Sequence, residues 1–146
     1  MDILHSSKRG RDFQRLAADV IGRRLNTHFQ LDQPIKIGRP RKAHRFDLVS
    51  DDQRHIGECK NYTWTKTGNM PSAKMAFLNE AVLYLSLLPS EVHTFIALRL
   101  HRHERRNETL GAYYRRTYLH LLSGLTIYEI DVESREVREY TVRETE

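Results

Sequence analysis

Three residues have the types and spacing to do chemistry. Asp47 stands in Phe46-Asp47-Leu48-Val49, and eleven residues on, Glu58-Cys59-Lys60 closes a second short run. Side chains two apart on a strand share a face, so Glu58 and Lys60 project together if that run is extended. A turn at Asp51, Asp52 and Gln53 folds one run back on the other and brings Asp47 towards Glu58, in a register the sequence leaves open. Two carboxylates beside an ammonium suit Mg²⁺, with Mn²⁺ as a substitute, because such hard cations bind through one or two carboxylates plus substrate phosphate. The cation lowers the pKa of a bound water and stabilises charge on phosphate oxygens, while Lys60 could orient the attacking water. The competing reading is a surface ion pair between Glu58 and Lys60 with Asp47 exposed near the turn. A chain with 29% charged residues produces Asp-x₁₀-Glu-x-Lys readily by chance.

The elements that must position these residues follow from periodicity. Phe13, Leu16, Ala17, Val20, Ile21 and Leu25 recur at helical spacing, which predicts an amphipathic helix over 10–26 with Arg11, Arg15, Arg23 and Arg24 on its other face. After a polar connection at 26–33, Pro34 opens a short extended run at 35–38, and Arg39 to Lys42 make a basic turn. Strands are expected over 44–50 and 54–60, and carboxylates inside both arms of this hairpin run against strand propensity and so ask for a reason. A loop at 61–71 leads to a helix ending near Leu88, apolar on most sides and expected to pack against both the sheet and a neighbouring helix. A central strand over 92–100 is apolar on both faces at Phe95-Ile96-Ala97-Leu98. Asn107 is expected to cap a helix on which Leu110, Tyr114, Tyr118 and Leu121 share a face, with Gly124 as its stop. A last strand covers 125–131, and the tail could add another extended segment. The order α-β-β-β-α-β-α-β predicts an α/β domain with a mixed central sheet flanked by helices.

A chain of 146 residues fits one domain over 1–146, with 1–9 and 132–146 flexible or peripheral. Residues 1–128 carry 21 Lys and Arg against 12 Asp and Glu, whereas 129–146 carry 3 against 7. A basic body favours a polyanionic partner, since each phosphate neutralised releases condensed counterions. No stretch is apolar enough for a signal peptide or a membrane span, so the expected location is cytoplasmic. The lone Cys59 agrees with a reducing compartment and reads as a small buried hydrophobe.

Phe46-Asp47 and Ile56-Gly57-Glu58-Cys59-Lys60, set within this order of elements over 8–131, resemble the PD-(D/E)XK nuclease superfamily with its restriction-endonuclease-like fold. The resemblance implies that Asp47 and Glu58 are metal ligands, that the backbone carbonyl of Cys59 adds a third oxygen, and that Lys60 serves the nucleophilic water. It implies an Mg²⁺-dependent DNA endonuclease, with DNA preferred over RNA on family grounds. The chain departs from the family pattern at two places. His44-Arg45-Phe46 precedes Asp47 where the family often has proline, and Gln14 stands where many members carry a glutamate on the first helix. Gln14 can still hydrogen-bond water or phosphate, but its missing charge argues for one metal rather than two.

The loop after Lys60 mixes aromatics, cations and hydroxyls. Tyr62 and Trp64 could stack on bases or pack beneath the loop, and Lys66, Lys74, Arg41 and Lys42 are candidate phosphate contacts. His101 and His103 have the spacing of a zinc chelate but lack further ligands and sit among arginines, which favours a basic connection. The alternative functions are a non-catalytic nucleic-acid-binding module on the same fold, or an RNA nuclease. Cutting both strands of a duplex would call for a homodimer, because one site cuts one strand.

Overall fold

The computed structural model describes residues 3–143. A long helix, α1 (Ile3–Leu25), leads into three antiparallel strands, β1 (Phe29–Ile37), β2 (Lys42–Ser50) and β3 (His55–Lys60). Helix α2 (Ser72–Ser86), strand β4 (His93–Arg99), helix α3 (Leu110–Thr117), a 3₁₀ turn (Leu119–Leu121) and strands β5 (Thr126–Ile130) and β6 (Val137–Thr141) complete the chain. The six strands form one mixed sheet in chain order, with β3, β4 and β5 parallel and the outer pairings antiparallel.

Alternation along the strands builds a core on each face. Phe13, Ala17 and Ile21 of α1 pack on Leu48, Phe95, Ala97, Tyr128 and Ile130. On the other face Met75, Leu78, Ala81, Val82 and Leu85 of α2 meet Val49, Ile56, Ile96, Leu98 and Ile127. The expected two-faced burial of β4 is therefore observed, with alternate residues serving the two layers.

Several expectations change. Strand β1 is nine residues long, not a short run after Pro34. Its polar residues are exposed on an edge strand, which is also where a proline can sit without losing a ladder bond. Helix α1 begins at Ile3, ahead of its apolar stripe, and stops at Asn26, which takes a left-handed conformation (φ 51°). The α3 cap is Thr109, whose hydroxyl accepts from the Ala112 N–H at 3.1 Å, rather than Asn107. That helix ends at Thr117, so Leu121 leaves the shared face and is exposed, while Leu122 is buried in its place. Helix α2 packs on the sheet and on α3 as expected, but its outer side leaves Phe77 and Leu83 exposed. The tail supplies β6, paired with β5 from Thr126↔Thr141 to Ile130↔Val137. The ends of the two peripheral segments, at 1–2 and 144–146, lie outside the described residues.

Candidate active site

The β2–β3 hairpin turns through Asp51 and Asp52, where the Ser50 hydroxyl donates to Asp52 Oδ1 (2.7 Å) and accepts from the His55 N–H (2.9 Å). The turn fixes the register left open by the sequence, as Leu48↔Gly57 and Val49↔Ile56. Beyond Leu48 the strands diverge enough for side chains to fill the ladder. The Asp47 N–H donates to Glu58 Oε2 (3.3 Å), and the Cys59 N–H donates to Asp47 Oδ2 (2.7 Å).

These two bonds tie the Asp47 and Glu58 residues together across the end of the hairpin. Glu58 is buried, and burial is the largest cause pushing its carboxyl up to about 9, followed by the hydrogen bond and charge of Asp47; Lys60 opposes weakly. The Glu58 carboxyl therefore favours its protonated form at neutral pH.

Lys60 lines an open cleft of about 390 Å³ with Asp47, Cys59 and, from α1, Gly10, Arg11 and Gln14. On its other side Lys60 and Cys59 border a second cleft of about 400 Å³ that includes Arg9, Tyr62, Lys74 and Arg99. Arg9, Arg11, Lys74 and Arg99 join none of the ion pairs among the described residues. The larger hollows, about 680 Å³ beside Arg15 and Arg23 and about 670 Å³ beside the β1–β2 turn, gather no comparable chemistry.

Gln14 is buried, and its amide nitrogen donates to both the Asp47 carbonyl and Asp32 Oδ1, each at 2.9 Å. Both its N–H groups are thus committed to tying β1 and β2 to α1. Asp32 gives no signal in the sequence, being a polar residue in the stretch expected to be a connection; the pairs Leu31↔Leu48 and Gln33↔Phe46 on either side set it opposite Asp47. His44 was noticed only as a break in the family pattern. Its Nε2 lies 2.9 Å from Glu58 Oε1, and its ring stacks on Tyr84 of α2 at 3.8 Å and 10°. Spacing two or more residues from the motif gives no signal for such a contact, since it depends on where Tyr84 of α2 lies against His44.

Compared with family models, curated proteins and solved structures, this chain finds no match.

The remaining candidates divide. Tyr62 and Lys74 reach the clefts together, with the Lys74 ammonium 5.3 Å from the Tyr62 ring centre. Trp64 is buried against Tyr113 and under the Arg106 guanidinium (4.3 Å), so it packs the loop and presents no face to a base. Lys66 is exposed on the loop, where its carbonyl accepts from His103 Nε2 (2.8 Å). Arg41 lines the hollow near Asp52 and Leu88, and Lys42 lines neither cleft, so neither reaches the carboxylates. His101 and His103 are engaged: His101 Nδ1 accepts from the Trp64 N–H (3.1 Å), and His103 Nδ1 accepts from the Arg105 N–H (3.1 Å). With Arg106 donating to the Gly68 carbonyl (2.6 Å), this segment clamps the 61–70 loop instead of chelating. Cys59 is half-buried rather than buried, packed on the α1-side core yet lining both clefts, and burial pushes its thiol well up. Among the described residues no three His, Cys, Asp or Glu side chains close around one point, and no helix is long and apolar enough to cross a membrane.

Proposed function

We propose that this chain is a metal-dependent nuclease that hydrolyses a phosphodiester bond of DNA, on a restriction-endonuclease-like fold of the PD-(D/E)XK kind. The observation that carries the reading is that the Asp47 N–H donates to the Glu58 carboxyl while Asp47 and Lys60 line one cleft. Hard oxygen donors fit Mg²⁺, which keeps several waters and so needs no third side chain. Asp47 and Glu58 would hold it, with the Cys59 carbonyl as the further oxygen. Bound there, Mg²⁺ supplies a water of lowered pKa and takes up charge on phosphate oxygens.

The chain's own residues do the rest. Lys60 orients the attacking water and balances charge developing on the phosphate. Arg9, Arg11, Lys74 and Arg99 bind the backbone on either side, and Gln14, its amide already committed, holds the strands in place for one metal. DNA is preferred to RNA on the resemblance. The test incubates the protein with supercoiled, linear, single-stranded and branched DNA and with RNA, each in Mg²⁺, Mn²⁺ or chelator. Cleavage of DNA only when metal is present is expected. Binding without cutting under every condition would replace the nuclease with a nucleic-acid-binding module, and cleavage confined to RNA would change the substrate.

A further inference from the structure

We infer that His44 is a positioning residue that holds Glu58 in the orientation needed to share a cation with Asp47, and that Tyr84 of α2 holds His44. The inference rests on the metal-site reading above. Glu58 has two carboxyl oxygens, and each has its own restraint: Oε2 accepts the Asp47 N–H at 3.3 Å, and Oε1 lies 2.9 Å from His44 Nε2. With Glu58 ionised, the Nε2–H donates to Oε1. The carboxyl is then clamped from both sides and cannot rotate away from Asp47.

The ring is restrained in turn. It stacks on Tyr84 at 3.8 Å and 10°, and Phe46 meets it edge-on at 4.6 Å. A chain of contacts runs from the helix on one face of the sheet, through an imidazole, to the Glu58 carboxyl. Hydrogen-bond partners of this kind set the orientation and basicity of ligating carboxylates, and their loss costs about 10–100-fold in metal affinity or activity.

The ring and the donor can be separated by substitution. His44→Phe keeps an aromatic face for Tyr84 but removes Nε2, whereas His44→Gln keeps an amide N–H of similar reach and removes the ring. Mn²⁺ binding to the full chain is measured by calorimetry beside thermal melts of the same samples. The expected result is about 10–100-fold weaker binding for His44→Phe, near-normal binding for His44→Gln, and a lower melting temperature for His44→Gln than for His44→Phe. A merely structural histidine gives the reverse, with affinity following the ring; that result, or His44→Phe binding like the wild type, overturns the inference alone. Wild-type protein that binds no Mn²⁺ overturns the metal site and the inference with it.

Discussion

At the scale of single residues, Glu58 is held in two ways at once: its backbone continues β3, while its carboxyl is drawn out of water against Asp47. The consequence for stability has a definite sign. Its carboxyl titrates near 9 when folded and near 4.5 when unfolded, so between those values the folded chain carries a proton the unfolded chain has released. That contribution is complete below about pH 4.5 and is lost as pH rises through about 9. Metal-free protein should therefore melt at progressively lower temperature from pH 6 to pH 9. Glu58→Gln, neutral throughout, should flatten the profile by an amount on the order of a few kcal/mol at pH 9. Mg²⁺ should raise the wild-type melting temperature more at pH 8 than at pH 6, because its binding displaces the Glu58 proton. A wild-type profile as flat as that of the variant would show that the two carboxyls do not share a site.

At the scale of elements, two positions set where the site residues stand. Gly57 lies opposite Leu48 at the last regular rung before the carboxylates, and a Cβ there would land on the Phe95 ring. Gly57→Ala should destabilise the fold by about 1–3 kcal/mol and displace β3, read by denaturant unfolding and by loss of metal affinity together. Thr109 caps α3 and also donates to Glu129, a fully buried carboxyl. Thr109→Ala removes the cap and strands the carboxyl, so a loss of about 2–3 kcal/mol is expected, without a change in metal affinity.

The hairpin, the two-faced β4 and the α1 stripe were legible in the sequence because apolar periodicity encodes which face is buried. The Asp47–Glu58 pairing was legible only as a possibility, since a one-residue shift would turn the side chains to opposite faces. What the sequence concealed has physical reasons. Strand β1 is a polar edge, so Gln30, Asp32 and Gln33 give no apolar signal. Asp32 and His44 reach the site by tertiary contact, through Gln14 and α2 respectively. Composition leaves Trp64 open to stacking or packing, and its burial is decided by Arg106 and Tyr113, some forty to fifty residues away.

At the scale of the whole molecule, the basic surplus over residues 1–128 is focused where it can serve the site. Arg9 and Arg11 come from α1, Lys74 from α2 and Arg99 from the end of β4, so four cations from three elements flank Lys60. Duplex binding in chelator should therefore weaken steeply with salt. Lys74→Ala combined with Arg99→Ala should lower the slope of log affinity against log salt by about 2, whereas Arg41→Ala should leave it unchanged. Fluorescence anisotropy across a salt series reads both; an equal effect of Arg41→Ala would move the nucleic-acid path to the β1–β2 turn.

The central claim is that Lys60 and the two carboxylates carry out phosphodiester hydrolysis and do not merely shape a basic surface. The most direct measurement is the single-turnover cleavage rate of Lys60→Ala in saturating Mg²⁺, set beside its DNA affinity in chelator. The account predicts a rate lowered by about 100–1,000-fold with affinity changed only a few-fold. Cleavage at the wild-type rate, or cleavage by either protein that persists in chelator, would contradict it.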